Sequence, residues 1–312
     1  MPLAVGPAMS ASLGFAGLGM FTATLIAAGR LTPNIMAEAH DRLAAAGCAP
    51  TTMAWIDEGD AADWQFELAP ADARAALEGA FDRVDVVVQP RDGRRKMLLV
   101  ADMDSTMITV ECIDELADYA GLKPKISAIT EAAMRGELDF EAALDARVAL
   151  LKGLDAAVID TCRAERVQLM PGARELVRTM RAWGASAVLV SGGFTRFAEP
   201  VAAEIGFDRA IANVLEIDGA ALSGTVARPI VGAATKRETL LDTRAALGLA
   251  DAATLAVGDG ANDLAMIEVA GLGVAYHAKP IVAAAAAARI EHGDLTALLW
   301  AQGVPRAEWA TV

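Results

Sequence analysis

An α/β fold is what this sequence predicts: a parallel sheet core, preceded by a smaller domain of mixed strands and helices. Three observations carry that prediction. Short apolar runs at Met97–Ala101, Ala187–Val190 and Thr254–Val257 each stop at polar or glycine-rich residues, as buried strands of a parallel sheet do. Helix-like segments lie between them, including Pro171–Trp183 and an amphipathic stretch from Lys236 to Leu247, as parallel crossovers require. Ahead of these runs, residues 21–89 read strand, helix, strand, strand, helix, strand.

In chain order, the first twenty residues carry no charged side chain and are rich in Ala, Gly and Met. They lack the basic start of a signal peptide, so residues 1–20 read as a disordered leader, with Met9 and Met20 as alternative starts. The next domain is expected as strand Phe21–Ala28, helix Pro33–Ala46, strands Thr51–Ile56 and Trp64–Leu68, helix Ala71–Phe81 and strand Val84–Val88. Pro33 suits a first helical turn and Gly47 suits a helix end. This βαββαβ order is the ferredoxin-like arrangement. Residues 90–95 are polar and turn-rich and read as a linker, which leaves residues 96–312 for the main domain.

Within that domain a helical insertion is expected from Cys112 to about Arg166. Its most regular piece places Phe140, Leu144, Val148 and Leu151 on one face, with Asp139 as the N-cap. A helix-like stretch is expected over Leu264–Ala270, and the alanine-rich segment Ile281–Arg289 reads as a packed helix without chemistry.

At 312 residues the chain has room for about two domains. Hydrophobic residues at 54% against 22% charged fit a folded globular chain rather than a disordered one. A formal net charge of −14, with no basic stripe, argues against a nucleic-acid partner. No uncharged apolar run reaches the roughly 20 residues of a membrane span, so no membrane partner is expected. Cys48, Cys112 and Cys162 show neither metal-ligand nor disulfide-framework spacing, which fits free thiols in a reducing cytoplasm. His40, His277 and His292 lie outside every motif.

The three strand-like runs lead into Asp102-Met103-Asp104-Ser105-Thr106, Ser191-Gly192-Gly193 and Gly258-Asp259-Gly260-Ala261-Asn262-Asp263, with Lys236 between the last two. Ligand crevices of open α/β sheets lie at the carboxyl ends of strands. A pair of carboxylates two residues apart there lets one attack while the other moves protons. Each piece alone has an ordinary structural reading: helix N-caps for Asp and Ser, turns for the glycine-rich segments, solvated surface for the lysine. Their combination and order do not.

These residues, in this order, resemble the haloacid dehalogenase superfamily and, within it, its phosphoserine phosphatases. The first motif continues through Met107-Ile108 into Glu111-Cys112-Ile113-Asp114-Glu115-Leu116, close to that family's extended pattern, and the resemblance runs from about Met97 to Leu298. Asp104 argues against a true dehalogenase, whose family lacks a carboxylate there. The Asp-Lys-Thr-Gly-Thr signature of transport ATPases is absent.

The resemblance implies a Rossmann-type parallel core, the insertion at about 112–166 as a small helical cap, and an ACT-like amino-acid-binding module, or a degenerate one, at 21–89. It implies Mg²⁺-dependent hydrolysis of O-phospho-L-serine to L-serine and phosphate through an aspartyl-phosphate, the last step of serine biosynthesis. Asp102 would be the nucleophile and Asp104 the general acid–base. The carboxylates of Asp102 and Asp259 and the backbone carbonyl of Asp104 would hold Mg²⁺, and Asp263 would orient metal-bound water or Lys236. Ser191, the Gly192 N–H, Lys236 and Asn262 would contact the phosphate. Glu111 and Arg147 would read the ammonium and carboxylate of the substrate, and Met134 and Phe140 would supply apolar cap contacts. A homodimer is compatible with this reading. Two alternatives stay open: a phosphatase or phosphotransferase of the same superfamily for another small phosphomonoester such as phosphohomoserine, and an amino-acid-sensing regulatory protein with an idle core.

Overall fold

The computed structural model describes residues 20–134 and 139–311; of the expected leader only Met20 falls among the described residues. The chain opens with β1 (Phe21–Ile26), α1 (Pro33–Ala45), β2 (Pro50–Asp57), β3 (Ala61–Phe66), α2 (Pro70–Leu77) and β4 (Asp85–Pro90). The strands form an antiparallel sheet in the order β2-β3-β1-β4, which is the ferredoxin-like topology. Thr32 caps α1 by accepting from the Ile35 N–H at 3.3 Å, and Pro33 begins the helix, where its missing N–H costs nothing.

Alternation along β1 divides its side chains between two cores. Ala23 and Leu25 pack with Met36, Leu43, Phe66 and Leu77 inside the small domain, whereas Ile26 joins the core of the large one. The polar residues of the outward face are also covered. Thr24 donates to Asp63, and Arg94 grips Asp63 at 2.5 and 2.9 Å while donating to the Ala301 carbonyl. Residues 90–95 therefore begin inside β4 and anchor the two domains to each other instead of hanging free.

The large domain continues with β5 (Leu98–Ala101), α3 (Cys112–Tyr119), α4 (Lys123–Met134), α5 (Phe140–Ala149), α6 (Ala157–Arg166), α7 (Ala173–Ala182) and β6 (Ser186–Phe194). Then come α8 (Thr195–Ile205), β7 (Arg209–Asn213), the hairpin β8 (Leu215–Asp218) and β9 (Ala221–Val226), α9 (Ala233–Ala246) and β10 (Thr254–Gly258). The last elements are α10 (Leu264–Ile267), β11 (Leu272–Tyr276), α11 (Pro280–Ala285), β12 (Ala288–Ile290) and α12 (Ala297–Ala301). Six strands form one parallel sheet ordered β12-β11-β10-β5-β6-β7. From β5 the chain builds outward first to one side and then to the other, so the carboxyl end of β5 is the topological switch point where α/β sheets open a crevice.

β5 lies between β6 and β10, and all four of its residues are buried. Truncating one of them, Leu99→Ala for example, would cost about 2–5 kcal/mol. The insertion after β5 forms the helices α3–α6, and Asp139 does cap α5, accepting from the Ala142 N–H at 2.7 Å.

Some boundaries differ from expectation. The third strand starts at Ala61 rather than Trp64, because Ala61–Asp63 pair with Thr24–Ile26 across the sheet. The segment Ile281–Arg289 is not one helix: it is helical only to Ala285, and Ala288–Ile290 pair with Val274–Tyr276 as the sheet edge. Sheet pairing overrides the helical preference of the alanine run. The helix expected over Leu264–Ala270 stops at Ile267. Among the described residues, no helix is long and apolar enough to cross a membrane.

Candidate active site

The first motif is held in place by its own backbone. The Asp102 N–H donates to the Val257 carbonyl of β10 at 3.0 Å, and the N–H groups of Thr106, Met107 and Ile108 converge on the Met103 carbonyl. That tight loop puts Ser105 at φ +56°, a left-handed conformation that non-glycine residues rarely adopt. The Ser105 hydroxyl there donates to Glu111 Oε1 at 2.7 Å. The buried Thr106 hydroxyl reaches across to the loop after β10 and donates to Asp259 Oδ1 at 3.2 Å.

Lys236 sits in the first turn of α9 and is 0% exposed. Its Nζ lies 2.5 Å from Asp102 Oδ1 and 2.6 Å from Asp263 Oδ1. The second oxygen of Asp263 accepts from the Gly260 N–H at 3.0 Å, so both oxygens of Asp263 are engaged. Any Cβ on Gly258 would fall 2.3 Å from the Asp263 carboxyl carbon; only glycine lets this carboxylate lie against the strand end.

Carboxylate oxygens of Asp102, Asp259 and Asp263 all lie within 4.8 Å of one another. One ammonium among three carboxylates leaves a buried excess of negative charge. Burial and the charge of Asp263 push Asp102 well above the usual carboxylate range, against the pull of Lys236. Burial, Asp263 and Glu111 push Asp259 up to about 6. Burial lowers and the two carboxylates raise the affinity of Lys236 for its proton, and the carboxylates win. Hard oxygen donors, excess negative charge and a remaining open side are what a hard divalent cation requires, so this residue set fits a metal ion.

Asp104 stands apart from that cluster. Its Oδ1 accepts from the Cys112 N–H at 3.4 Å, and burial and the neighbouring Glu111 push its carboxyl up to about 7. Cys112 itself is buried, and burial and Asp104 raise its thiol well above its usual range, which removes any thiolate chemistry.

A cleft of about 970 Å³ opens from these groups. Asp102, Asp104, Ser191, Gly192, Asp259 and Asn262 line it from the sheet side, and Glu111, Asp114, Phe140, Leu144 and Arg147 line it from the insertion, the two sets meeting where Phe140 lies over Gly192. Ser191 and Gly192 do not form a turn: β6 runs on through Phe194, and the buried Ser191 Oγ accepts from the Gly193 N–H at 2.8 Å. Arg147 is anchored by a bond from Nε to the Ala143 carbonyl at 3.2 Å. Burial pulls its guanidinium down from the usual range, opposed by Asp114, Glu111 and Asp104. Phe140, 37% exposed, rests over Gly192. Met134 closes α4, but its side chain lies outside the described residues.

The fold thus brings together Asp102, Asp104, Glu111, Phe140, Arg147, Ser191, Gly192, Asp259 and Asn262 on one cleft, with Lys236 and Asp263 buried behind it. Ser105, Thr106, Asp114 and Lys279 also belong to the site and were not singled out from the sequence. Ser105 and Thr106 lie inside the first motif, and Asp114 follows Glu111 by one helical turn, so spacing could have flagged them. Lys279, whose N–H donates to the Asp259 carbonyl at 3.2 Å, has no local signal.

The haloacid dehalogenase-like hydrolase family matches residues 99–268, more than half of the chain. A phosphoserine phosphatase of Streptomyces coelicolor is 45% identical over 244 residues, 78% of this chain and 59% of that protein; the chain therefore spans well under two thirds of that relative's length. A phosphoserine phosphatase of Albidiferax ferrireducens is 49% identical over 207 residues, 65% of this chain and 87% of that protein. Among solved structures, a probable phosphoserine phosphatase from Vibrio cholerae, in unliganded form, superposes with a TM-score of 0.72 at 34% identity, covering 91% of this chain and 88% of that one. From the sheet order, the motif positions and these matches together, the chain belongs to the haloacid dehalogenase-like hydrolases, where it groups with members named phosphoserine phosphatases.

Proposed function

We propose that this protein is a Mg²⁺-dependent phosphoserine phosphatase that hydrolyses O-phospho-L-serine to L-serine and phosphate, the closing step of serine formation. The observation that carries the reading is the buried Asp102–Lys236–Asp263 cluster, with Asp259 alongside, at the switch point of the sheet. It opens into a cleft whose lining from the insertion includes Glu111 and Arg147. The relatives' names support the same substrate.

In the proposed reaction an Asp102 carboxylate oxygen attacks phosphorus and the bond from phosphorus to the serine oxygen breaks. Asp104, held near neutrality by burial and Glu111, gives its proton to the departing serine oxygen. A water then attacks the aspartyl-phosphate, Asp104 takes one of its protons, and phosphate leaves with Asp102 restored. Lys236 pulls Asp102 toward its charged form and aims it, and Asp263 fixes Lys236 in turn. Ser191, Gly192 and Asn262 hold the phosphoryl oxygens. When bound by the carboxylates of Asp102 and Asp259 and the Asp104 carbonyl, Mg²⁺ would neutralise the phosphoryl charge that otherwise repels the nucleophile.

Glu111 accepts the Ser105 hydroxyl and faces the substrate ammonium, while Arg147 receives the carboxylate through its planar fork. Three free, buried cysteines support a reducing compartment, the cytoplasm. The test is phosphate release from a panel of small phosphomonoesters with Mg²⁺ and with EDTA. Phosphoserine should lead the panel and EDTA should stop it. A lead by phosphohomoserine, or no release at all, would overturn the assignment.

A further inference from the structure

Pairing between β6 and β7 is interrupted at the site. Val190 faces Ile211 and then Phe194 faces Asn213, so Ser191–Gly193 bulge out of the ladder. Backbone groups of a bulge need partners from elsewhere. Asn213, 1% exposed at the end of β7, supplies one. Its Nδ2 donates to the Gly192 carbonyl at 2.9 Å and to the Val231 carbonyl at 3.2 Å, and its Oδ1 accepts from the Val231 N–H at 2.8 Å.

The peptide between Gly192 and Gly193 is therefore gripped at both ends: its carbonyl by Asn213 and its N–H by Ser191 Oγ. A serine hydroxyl has one proton to donate and lone pairs to accept with. With the Gly193 N–H on Oγ, the Ser191 proton stays free for a ligand in the cleft. The same side chain ties Gly192 to Val231, next to Gly232. A Cβ would lie 3.1 Å from the Phe140 ring on Gly192 and 3.4 Å on Gly232, so the two glycines form the notch that seats this cap residue.

We propose that Asn213 is a positioning residue that holds the Ser191–Gly193 bulge in its phosphate-binding form and sets the seat of Phe140. This rests on the reading of that part of the cleft as the phosphate site. Asn213→Asp keeps the acceptor for Val231 and loses both donors; Asn213→Ser is a smaller neutral alternative.

In the full-length protein with Mg²⁺, calorimetry should show the Kd for inorganic phosphate rising roughly 10-fold or more in both variants. The KM for phosphoserine should rise in parallel. The half-saturating Mg²⁺ concentration and the preference for phosphoserine over phosphoethanolamine should not move, which a general loosening of the fold would not spare. Folded variants with the wild-type phosphate Kd would overturn the proposal. If neither variant folds, the Asn213 side-chain amide in wild type decides by NMR: slow exchange and a shift on adding phosphate support it, fast exchange or no shift sinks it. Wild type that binds phosphate without hydrolysing phosphoserine would defeat the proposed function and leave the Asn213 test intact. Failure to bind phosphate would defeat both.

Discussion

The cleft is lined by two sets of residues that are built differently, one at the sheet and one on the helical insertion. On the sheet side, Asp102, Lys236, Ser191 and Asp263 are buried and come from four separate elements; Lys236 ties Asp102 to Asp263 through short ion pairs, and Ser191 Oγ is held by the Gly193 N–H. On the cap side, Glu111, Asp114, Phe140 and Arg147 stand on helices of the insertion and keep part of their surface in the cleft. The first arrangement suits chemistry, since preorganised charge needs no rearrangement when the reaction begins. The second suits recognition, because side chains on a small helical layer can be exchanged without disturbing the sheet. The proposed division is reaction on one side, identity of the substrate on the other.

The strongest way to break this comparison is on the sheet side. Asp102→Asn should abolish turnover while leaving the fold intact, because the amide has the carboxylate's shape and cannot attack phosphorus. Asp104→Asn should slow turnover by roughly 10²–10⁴-fold through lost acid–base help, read from steady-state kinetics. Lys236→Met removes the ammonium from between two buried carboxylates and should cost about 3–5 kcal/mol of stability in the metal-free protein, measured by urea unfolding. A cost near zero would mean that the buried ammonium contributes nothing net to the fold.

Changes on the cap side should be smaller and selective. Arg147→Lys keeps the charge and loses the two-point grip. It should weaken phosphoserine use by roughly 10–100-fold, mostly in KM, with little effect on phosphoethanolamine, which has no carboxylate. Glu111→Gln should harm both substrates, since both carry an ammonium. Equal losses for both substrates with Arg147→Lys would erase the distinction between the two sides.

The smallest effect is on stability against pH. In the metal-free protein Asp104 sits at about 7 and Asp259 at about 6, against about 4 for unfolded carboxyls. The folded form then holds more protons across that window, so stability should fall as pH rises through it. A cation held by the Asp259 carboxylate would take the place of that residue's proton. Melting scans should therefore show a decline in Tm from about pH 5 to about pH 7 that Mg²⁺ reduces through Asp259 and that Asp104→Asn also reduces.

The same contrast governs what could be read in the sequence. Motifs that end a buried strand announce themselves, because the apolar run and the polar stop are adjacent in the chain. Asp102, Ser191 and Asp259 were legible on that ground. Lys236 and Asp263 gained meaning only as members of the series, and the family resemblance supplied the roles of Glu111 and Arg147. Asn213 was invisible: its partners are Gly192 and Val231, and nothing local marks the meeting. Likewise β12 hides in an alanine run whose local preference is helical, and only pairing with β11 makes Ala288–Ile290 a strand. In the small domain the βαββαβ order was plain from alternation, whereas the docking of Arg94 onto Asp63 and Ala301 joins residues far apart in the chain.

The central claim is that Asp102 becomes phosphorylated during turnover. Acid-quenched wild-type protein, mixed with phosphoserine and Mg²⁺ and digested for mass spectrometry, should carry one added phosphoryl group on the peptide containing Asp102. The adduct should be labile to hydroxylamine and absent from Asp102→Asn. Rapid phosphate release by an Asp102→Asn protein, with no adduct trapped in wild type, would contradict the account.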